Sequence, residues 1–436
     1  MLRYIAILAG VILTSFYYFP FSFTFLPGIN TKMLMAIVAL PIVIINAAKS
    51  RNGIVNRNFL TLVIFASFVS LASYASVTYN TTSDFTYVSY IFSMLVWLAG
   101  AYTLIQYLSI VHENVTVSVI ARYLAAASAM QCLLAIGIDS SPAVFNTVHS
   151  FLYGMSGLDE FAKGRLYGVG CAFDVAGIRF SAVLIIMAAS ASRIAEEYEH
   201  RPAGMVLYLM AFAIISIIGN MISRTTTVGM VMAMIYMVYS LRLYNLRHLP
   251  STTSGFLRTG IVIMLVFAVF AGVLYETDMV FRRNFRFAFE GFFSLVEEGR
   301  WEVHSNELLW TMYRFPETIK TWLIGDGYFY NTFADPYYVG EEYGGYYMAT
   351  DVGYLRFIYY AGLPCLLLFI IFIWKSSAIG MQFFPGSRLM FVFLFVLQLL
   401  VWLKVSSDIF SAFAIFLALG MARKEPDAEE IIAAEI

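Results

Sequence analysis

Apolar residues arrive along this chain in blocks of roughly twenty, not in the alternation of a half-buried strand. Such blocks fall at residues 4–19, 31–48, 58–78, 86–108, 116–138, 178–194, 203–221, 225–241, 257–275, 353–374, 388–404 and 408–422. A helix of about 20 apolar residues matches the hydrocarbon thickness of a bilayer, so the pattern predicts about twelve transmembrane helices. The expected class is therefore an all-α polytopic membrane protein, with one integral membrane domain over residues 1–436. Most polar intervals between the blocks are short. Two are long, at 139–177 and 276–352, and the second holds most of the chain's unusual chemistry.

Within the second interval, residues 281–298 mix Phe with charge, as an amphipathic helix lying on the membrane face would. Arg282 and Arg286 are four apart and share one side of it, with Arg283 beside them. Further on, Trp301, Leu308, Leu309, Met312 and Phe315 give a helical apolar stripe, and Arg300, His304 and Glu307 share another face. That face suits a diphosphate beside a proton-transfer group; a solvated charged face is the alternative.

Composition agrees with the pattern. Hydrophobic residues make up 60% of the chain and charged residues 13%, against about 25% charged in soluble domains. Three cysteines, Cys132, Cys171 and Cys365, fall in or beside apolar blocks at no short spacing, so neither a disulfide framework nor a metal cluster is expected. Residues 4–19 have no small-x-small cleavage site before Pro20 and read as a retained first span.

Charge sets the expected orientation. Lys49, Arg51, Arg57, Arg193, Arg201, Arg242, Arg247, Arg258, Lys375 and Arg388 all fall on one side of the map, which the positive-inside rule makes cytoplasmic. Both termini are then cytoplasmic, and the tail 423–436 is a small acidic appendage. The two long loops face outward. Long loops cross a membrane regardless of their charge, so their arginines ask for a different explanation.

The first long loop ends Lys163-Gly164-Arg165-Leu166-Tyr167-Gly168 and continues through Asp174, Gly177 and Arg179 into a span. Glycines let backbone approach a ligand, and a guanidinium offers a planar fork of donors to phosphate oxygens. Arg165 reads as an anion clamp, or else as an arginine facing lipid headgroups. Asp174 with Arg179 reads equally as an ion pair where the loop re-enters the membrane. Ser223-Arg224-Thr225 is a tight outward turn whose arginine either meets substrate or snorkels. Gly325-Asp326-Gly327 marks a sharp turn, and after it Tyr328, Tyr330, Tyr337, Tyr338, Tyr343, Tyr346 and Tyr347 crowd one segment with Asp335, Glu341 and Glu342. Aromatic faces with hydroxyl handles suit sugar rings; an interfacial aromatic belt is the other reading.

Together Gly164-Arg165-Leu166-Tyr167-Gly168 with Asp174 and Gly177, Ser223-Arg224-Thr225, Arg300-Trp301 and Trp322-Leu323-Ile324-Gly325-Asp326-Gly327 resemble the O-antigen ligase and Wzy polymerase superfamily over about residues 100–375. The resemblance implies a GT-C-like all-helical glycosyltransferase with two long periplasmic loops, multi-pass in the bacterial inner membrane. It implies an undecaprenyl-diphosphate-linked glycan as donor and acceptor, the lipid bilayer and a chain-length regulator as partners, and no cofactor, metal or nucleic acid. Carried onto this chain, Arg165, Arg224 and Arg300 correspond to arginines that engage the lipid diphosphate. Ligases of the family place a histidine just before the chain re-enters the membrane; here Asp351 stands there, in Ala349-Thr350-Asp351-Val352-Gly353-Tyr354. That departure points to a repeat-unit polymerase making O-antigen, capsule or exopolysaccharide. Asp351, then Asp326, then His304 are the candidate proton acceptors, and Arg282, Arg283, Arg286, Arg179, Tyr328, Tyr346, Tyr347 and Tyr354 the candidate substrate contacts. A ligase acting on lipid A core or protein, and a flippase for lipid-linked sugar, remain the alternatives.

Overall fold

The computed structural model describes residues 2–49, 57–154, 165–199, 202–245, 249–330, 332 and 345–422. Arg51, Lys163, Gly164, Arg201, Arg247, Asp335, Tyr337, Tyr338, Glu341, Glu342, Tyr343 and the acidic tail lie outside the described residues.

Of the described residues 78% are helical. Its apolar helices are α1 (Leu2–Tyr18), α2 (Thr31–Lys49), α3 (Arg57–Asn80), α4 (Tyr90–Val111) and α5 (Val117–Ser140). After a short α6 (Pro142–Phe151) come α7 (Phe173–Glu197), α8 (Pro202–Ile222), α9 (Thr226–Ser240) and α10 (Ser251–Thr277). The second long interval holds α11 (Met279–Ala288), α12 (Glu290–Glu298), α13 (His304–Thr311) and α14 (Ile319–Leu323), and α15 (Gly353–Phe383), α16 (Arg388–Val401) and α17 (Phe410–Ala422) complete the bundle. Each of the predicted apolar blocks is a helix. Among the described residues seven are long and apolar enough to cross a membrane, and five more apolar helices are shorter.

Several hydroxyls inside these helices are satisfied by their own helix, as an apolar surrounding favours. The hydroxyls of Thr14, Ser67 and Ser376 each donate to the carbonyl four residues back, at 2.7, 2.7 and 2.9 Å. Trp402, Phe357, Phe369, Phe372 and Phe410 are fully buried and build the centre where α15, α16 and α17 meet. The helix α10 is the opposite case: only 6% of its most apolar window is buried, so it presents nearly its whole apolar surface outward at the bundle edge.

The predicted span over 178–194 begins five residues earlier, at Phe173, which takes Asp174 into the first turn of α7. The amphipathic segment 281–298 is two helices, broken at Phe289, not one. Asp278 caps the first, accepting from the amides of Val280 and Phe281 at 2.8 and 3.0 Å. Two elements were not expected. A hairpin of β1 (Ser22–Phe23) and β2 (Leu26–Asn30) joins α1 to α2, and it meets α6 through the Thr24 amide, which donates to the Phe151 carbonyl at 2.9 Å.

The interval 276–352 is fastened to the bundle at a break in α15. Ala361 and Gly362 leave helical geometry, Gly362 at φ +75°. A Cβ at Gly362 would lie 2.4 Å from the Leu323 carbonyl oxygen, so only glycine admits α14 this closely. Pro364 removes the amide that would have bonded the Tyr360 carbonyl. That oxygen instead accepts from Ser76 Oγ at 2.7 Å and from the Gly327 amide at 3.1 Å, while the Tyr359 carbonyl takes the Asp326 amide. Asp84, ahead of α4, holds the next residues by accepting from the Phe329 and Tyr330 amides at 2.8 and 2.9 Å.

Candidate functional site

The loop-bearing end of the bundle draws four separate segments around the first turn of α7. Gly177 is what permits this. A Cβ there would sit 2.6 Å from Ser223 Oγ, so the 223–225 turn rests directly on α7. Ser223 and Thr225 then donate to Asp174 Oδ1 at 2.9 and 2.6 Å, and Lys404 Nζ, from the segment between α16 and α17, lies 3.6 Å from the same oxygen. The Asp174–Arg179 pair offered by the sequence is not formed; Lys404 is the cation Asp174 meets.

The middle residue of that turn, Arg224, points toward α11 and α12. Its guanidinium lies 4.2 Å from the ring centroid of Phe287, and that of Arg165 lies 5.0 Å from the same ring. Arg224 also makes a very short contact with Glu290 and reaches Ser305 Oγ at 3.4 Å. Burial lowers its pKa from the ordinary guanidinium value, and Glu290 opposes the shift. Two cations from loops more than fifty residues apart thus share one aromatic ring, a cation–π arrangement that holds each in place while leaving N–H donors for oxygen ligands. Beside them opens a cavity of about 420 Å³ lined by Arg224, Phe287, Glu290, His304 and Glu307 among others.

Asp351 lies at the start of α15. Thr350 Oγ1 accepts from the Val352 amide at 3.2 Å, just ahead of the first helical residue, and no side chain caps the helix itself. Burial raises the Asp351 pKa, opposed by Arg356 and Lys404, with Asp174 as a like-charged neighbour. The carboxylate therefore belongs to the same electrostatic group as Asp174 and Lys404.

Of the other predicted residues, Arg286 also lines this cavity, and most of the rest go elsewhere. Arg300 is exposed, 2.8 Å from Glu302 and 4.0 Å from Glu298, and does not join Arg165 and Arg224. It precedes α13 and so does not share a helix face with His304 and Glu307. Arg282 and Arg286 do share a side, as their spacing predicts, but that side faces Tyr275: Arg282 Nε donates to its carbonyl at 2.7 Å and Arg286 to its hydroxyl at 3.2 Å. Arg286 is further held by both oxygens of Glu297, at 2.7 and 2.6 Å, and Arg283 has Asp139 as its charged neighbour. Asp326 is tied to Lys320, Thr321 and Tyr347 at 2.9, 2.9 and 3.4 Å, a complete set of partners for a structural carboxylate. Tyr328 and Tyr347 pack against each other, with centroids 5.4 Å apart, and Tyr354 donates to the Leu399 carbonyl at 2.8 Å, joining α15 to α16.

Three residues that sequence reasoning passed over take part. Lys404 is one. Arg356 is another: buried in the first turn of α15, its guanidinium stacks 3.4 Å from the Tyr346 ring and 3.8 Å from Phe329, and it donates to Ser406 and the Phe329 carbonyl. Asp84 is the third. All lie at the edges of apolar blocks, where a charge between two spans reads as mere punctuation. The signal available was a charge beside hydroxyls in a segment too short to need one, as in Lys404-Val405-Ser406-Ser407-Asp408.

Comparison with protein-family models, with curated proteins and with solved structures finds no match.

Proposed function

We propose that this protein is a glycosyltransferase that joins repeat units carried on a polyprenyl diphosphate into a polysaccharide, working at the membrane face that bears its two long loops. The observation that carries the reading is the meeting of Arg165 and Arg224 over Phe287, next to Asp174, Lys404 and Asp351 and at one end of an apolar bundle. A lipid-linked diphosphate needs such a place. Its chain stays in hydrocarbon while its charged head meets fixed guanidinium donors.

The chemistry follows from the arrangement. Arg165 and Arg224 engage the donor's diphosphate and stabilise the negative charge that grows on it as the bond to the anomeric carbon breaks. The electron pair of that bond leaves with the diphosphate. A hydroxyl of the acceptor unit forms the new bond to the anomeric carbon and gives its proton to the Asp351 carboxylate, just ahead of α15. His304 shares the cavity wall with Glu290 and Glu307 and is the second proton acceptor in this reading. Asp174 holds Lys404 and the 223–225 turn in register and is a positioning residue.

Arg165→Ala and Arg224→Ala should each abolish long glycan chains on a gel while the protein still reaches the membrane. A normal chain-length ladder in both would remove the arginine pair from the reaction. A strain lacking the protein separates polymerase from ligase, since the first leaves single repeat units attached and the second leaves polymer on its lipid carrier.

A further inference from the structure

Below the site just described the bundle carries a second group of charges. Arg179 is five residues further along α7 than Asp174, which puts it about 7.5 Å deeper at the usual helical rise. Lys32, in the first turn of α2, comes against the same ring, Trp97, as Arg179 does. Its Nζ lies 3.9 Å from the centroid of that ring, and the Arg179 guanidinium 5.8 Å from it and 6.0 Å from Phe19. Asp408, before α17, is a charged neighbour of both cations.

The charges do not balance. Among the described residues neither Lys32 nor Arg179 has a carboxylate within 4.0 Å, and the Asp408 carboxylate accepts the Phe410 amide at 2.9 Å, which starts α17. Two cations face one carboxylate that is already engaged. An uncompensated charge inside an apolar bundle costs several kcal/mol, and a bound anion relieves it. The aromatic faces fix the two cations without neutralising them, and both remain partly accessible.

We propose that Lys32 and Arg179, both set against Trp97, form an inner anion site for a phosphate group, further along α7 than the outer arginine pair. The chemistry it takes is the phosphate oxygen, from a polyprenyl phosphate headgroup or from free diphosphate. Resting on the glycosyltransferase reading, it gives the leaving polyprenyl diphosphate a place to withdraw to while a new donor occupies Arg165 and Arg224. Asp408 limits the net positive charge and so keeps binding reversible.

The test uses the full-length protein in nanodiscs, with farnesyl diphosphate and inorganic diphosphate as probes and farnesol as the uncharged control, read by titration calorimetry. Lys32→Gln and Arg179→Gln should each weaken diphosphate binding by about tenfold or more, the loss expected when a charged donor is removed. Asp408→Asn keeps the helix cap, because Asn also accepts there, and should bind as tightly as the unaltered protein or tighter. Arg179→Lys retains the charge and should fall between. Tighter binding of farnesyl diphosphate than of inorganic diphosphate assigns the site to lipid; equal binding assigns it to the free anion.

Unchanged affinity in both Lys32→Gln and Arg179→Gln overturns the inner site. So does weaker binding in Asp408→Asn, which would mark the three charges as one self-sufficient ionic cluster. If those results appear while Arg224→Ala still abolishes polymer, the inner site falls and the glycosyltransferase reading stands. Farnesol binding as well as the diphosphates would overturn both.

Discussion

Arg224 does more than its place in a tight turn suggested. It reaches Phe287, Glu290 and Ser305 at once, so its guanidinium is oriented by three groups before any ligand arrives. Arg224→Lys keeps the charge but loses the planar fork, and polymer yield should drop at least about tenfold, since a bidentate arginine is not replaced by a point charge. Asp351 makes a prediction in pH. Burial raises its pKa above the usual carboxylate value, and a carboxyl whose folded pKa exceeds its unfolded one stabilises the fold at low pH and loses that contribution as pH rises through the folded pKa. In the proposed role of proton acceptor it would work only when ionised. The acid limb of the rate profile should then lie above the ordinary value of about 3.9 and disappear with most of the activity in Asp351→Asn. An acid limb that stays in place at full rate in that variant would hand the proton to another group, with His304 in the cavity wall the next candidate.

At the scale of elements, the break in α15 decides where the second long interval sits. Its freed Tyr359 and Tyr360 carbonyls are not left open to a ligand, because the Asp326 and Gly327 amides and Ser76 take them. This interrupted helix is therefore a dock for α14, and gives the flippase alternative no ion-binding gap. Gly362→Ala places a Cβ against the Leu323 carbonyl at a positive φ. It should cost about 1–3 kcal/mol, the usual penalty for a strained backbone, visible as a lower melting temperature of the purified protein and as lost activity. An unchanged melting temperature would mean that α14 docks by other means. What the sequence made legible at this scale follows from period and length. The apolar blocks read as helices because nothing else buries twenty consecutive apolar residues. By contrast, α6 and the β1–β2 hairpin were missed, since each gets its support from the other and neither carries a long local signal. The start of α6 did hold a clue in Ser141-Pro142, a proline at the first helical position.

Across the whole molecule, the residues that meet at the loop-bearing end come from the first long loop, the 223–225 turn, α11 to α13, the start of α15 and the segment before α17. Sequence order separates them by up to about 240 residues, as between Arg165 and Lys404, and no periodicity links them. The pairing of Arg165 with Arg224 was legible as two outward arginines flanked by glycine or hydroxyls. The exclusion of Arg300 was not, because whether an exposed arginine turns toward a site or toward Glu302 depends on how α12 ends, at the left-handed Gly299. Arg300→Ala should accordingly leave chain length near normal, in contrast to Arg224→Ala, when both are compared on the same glycan gel. Equal loss in the two would bring Arg300 back into the reaction. The most direct measurement is reconstitution: the purified protein in nanodiscs, supplied with a polyprenyl-diphosphate-linked repeat unit and followed by gel separation of the glycan. The account predicts a ladder of lengthening chains that is absent with Arg224→Ala. A ladder of the same length and rate with Arg224→Ala, or none with the unaltered protein given a cognate repeat unit, would contradict it.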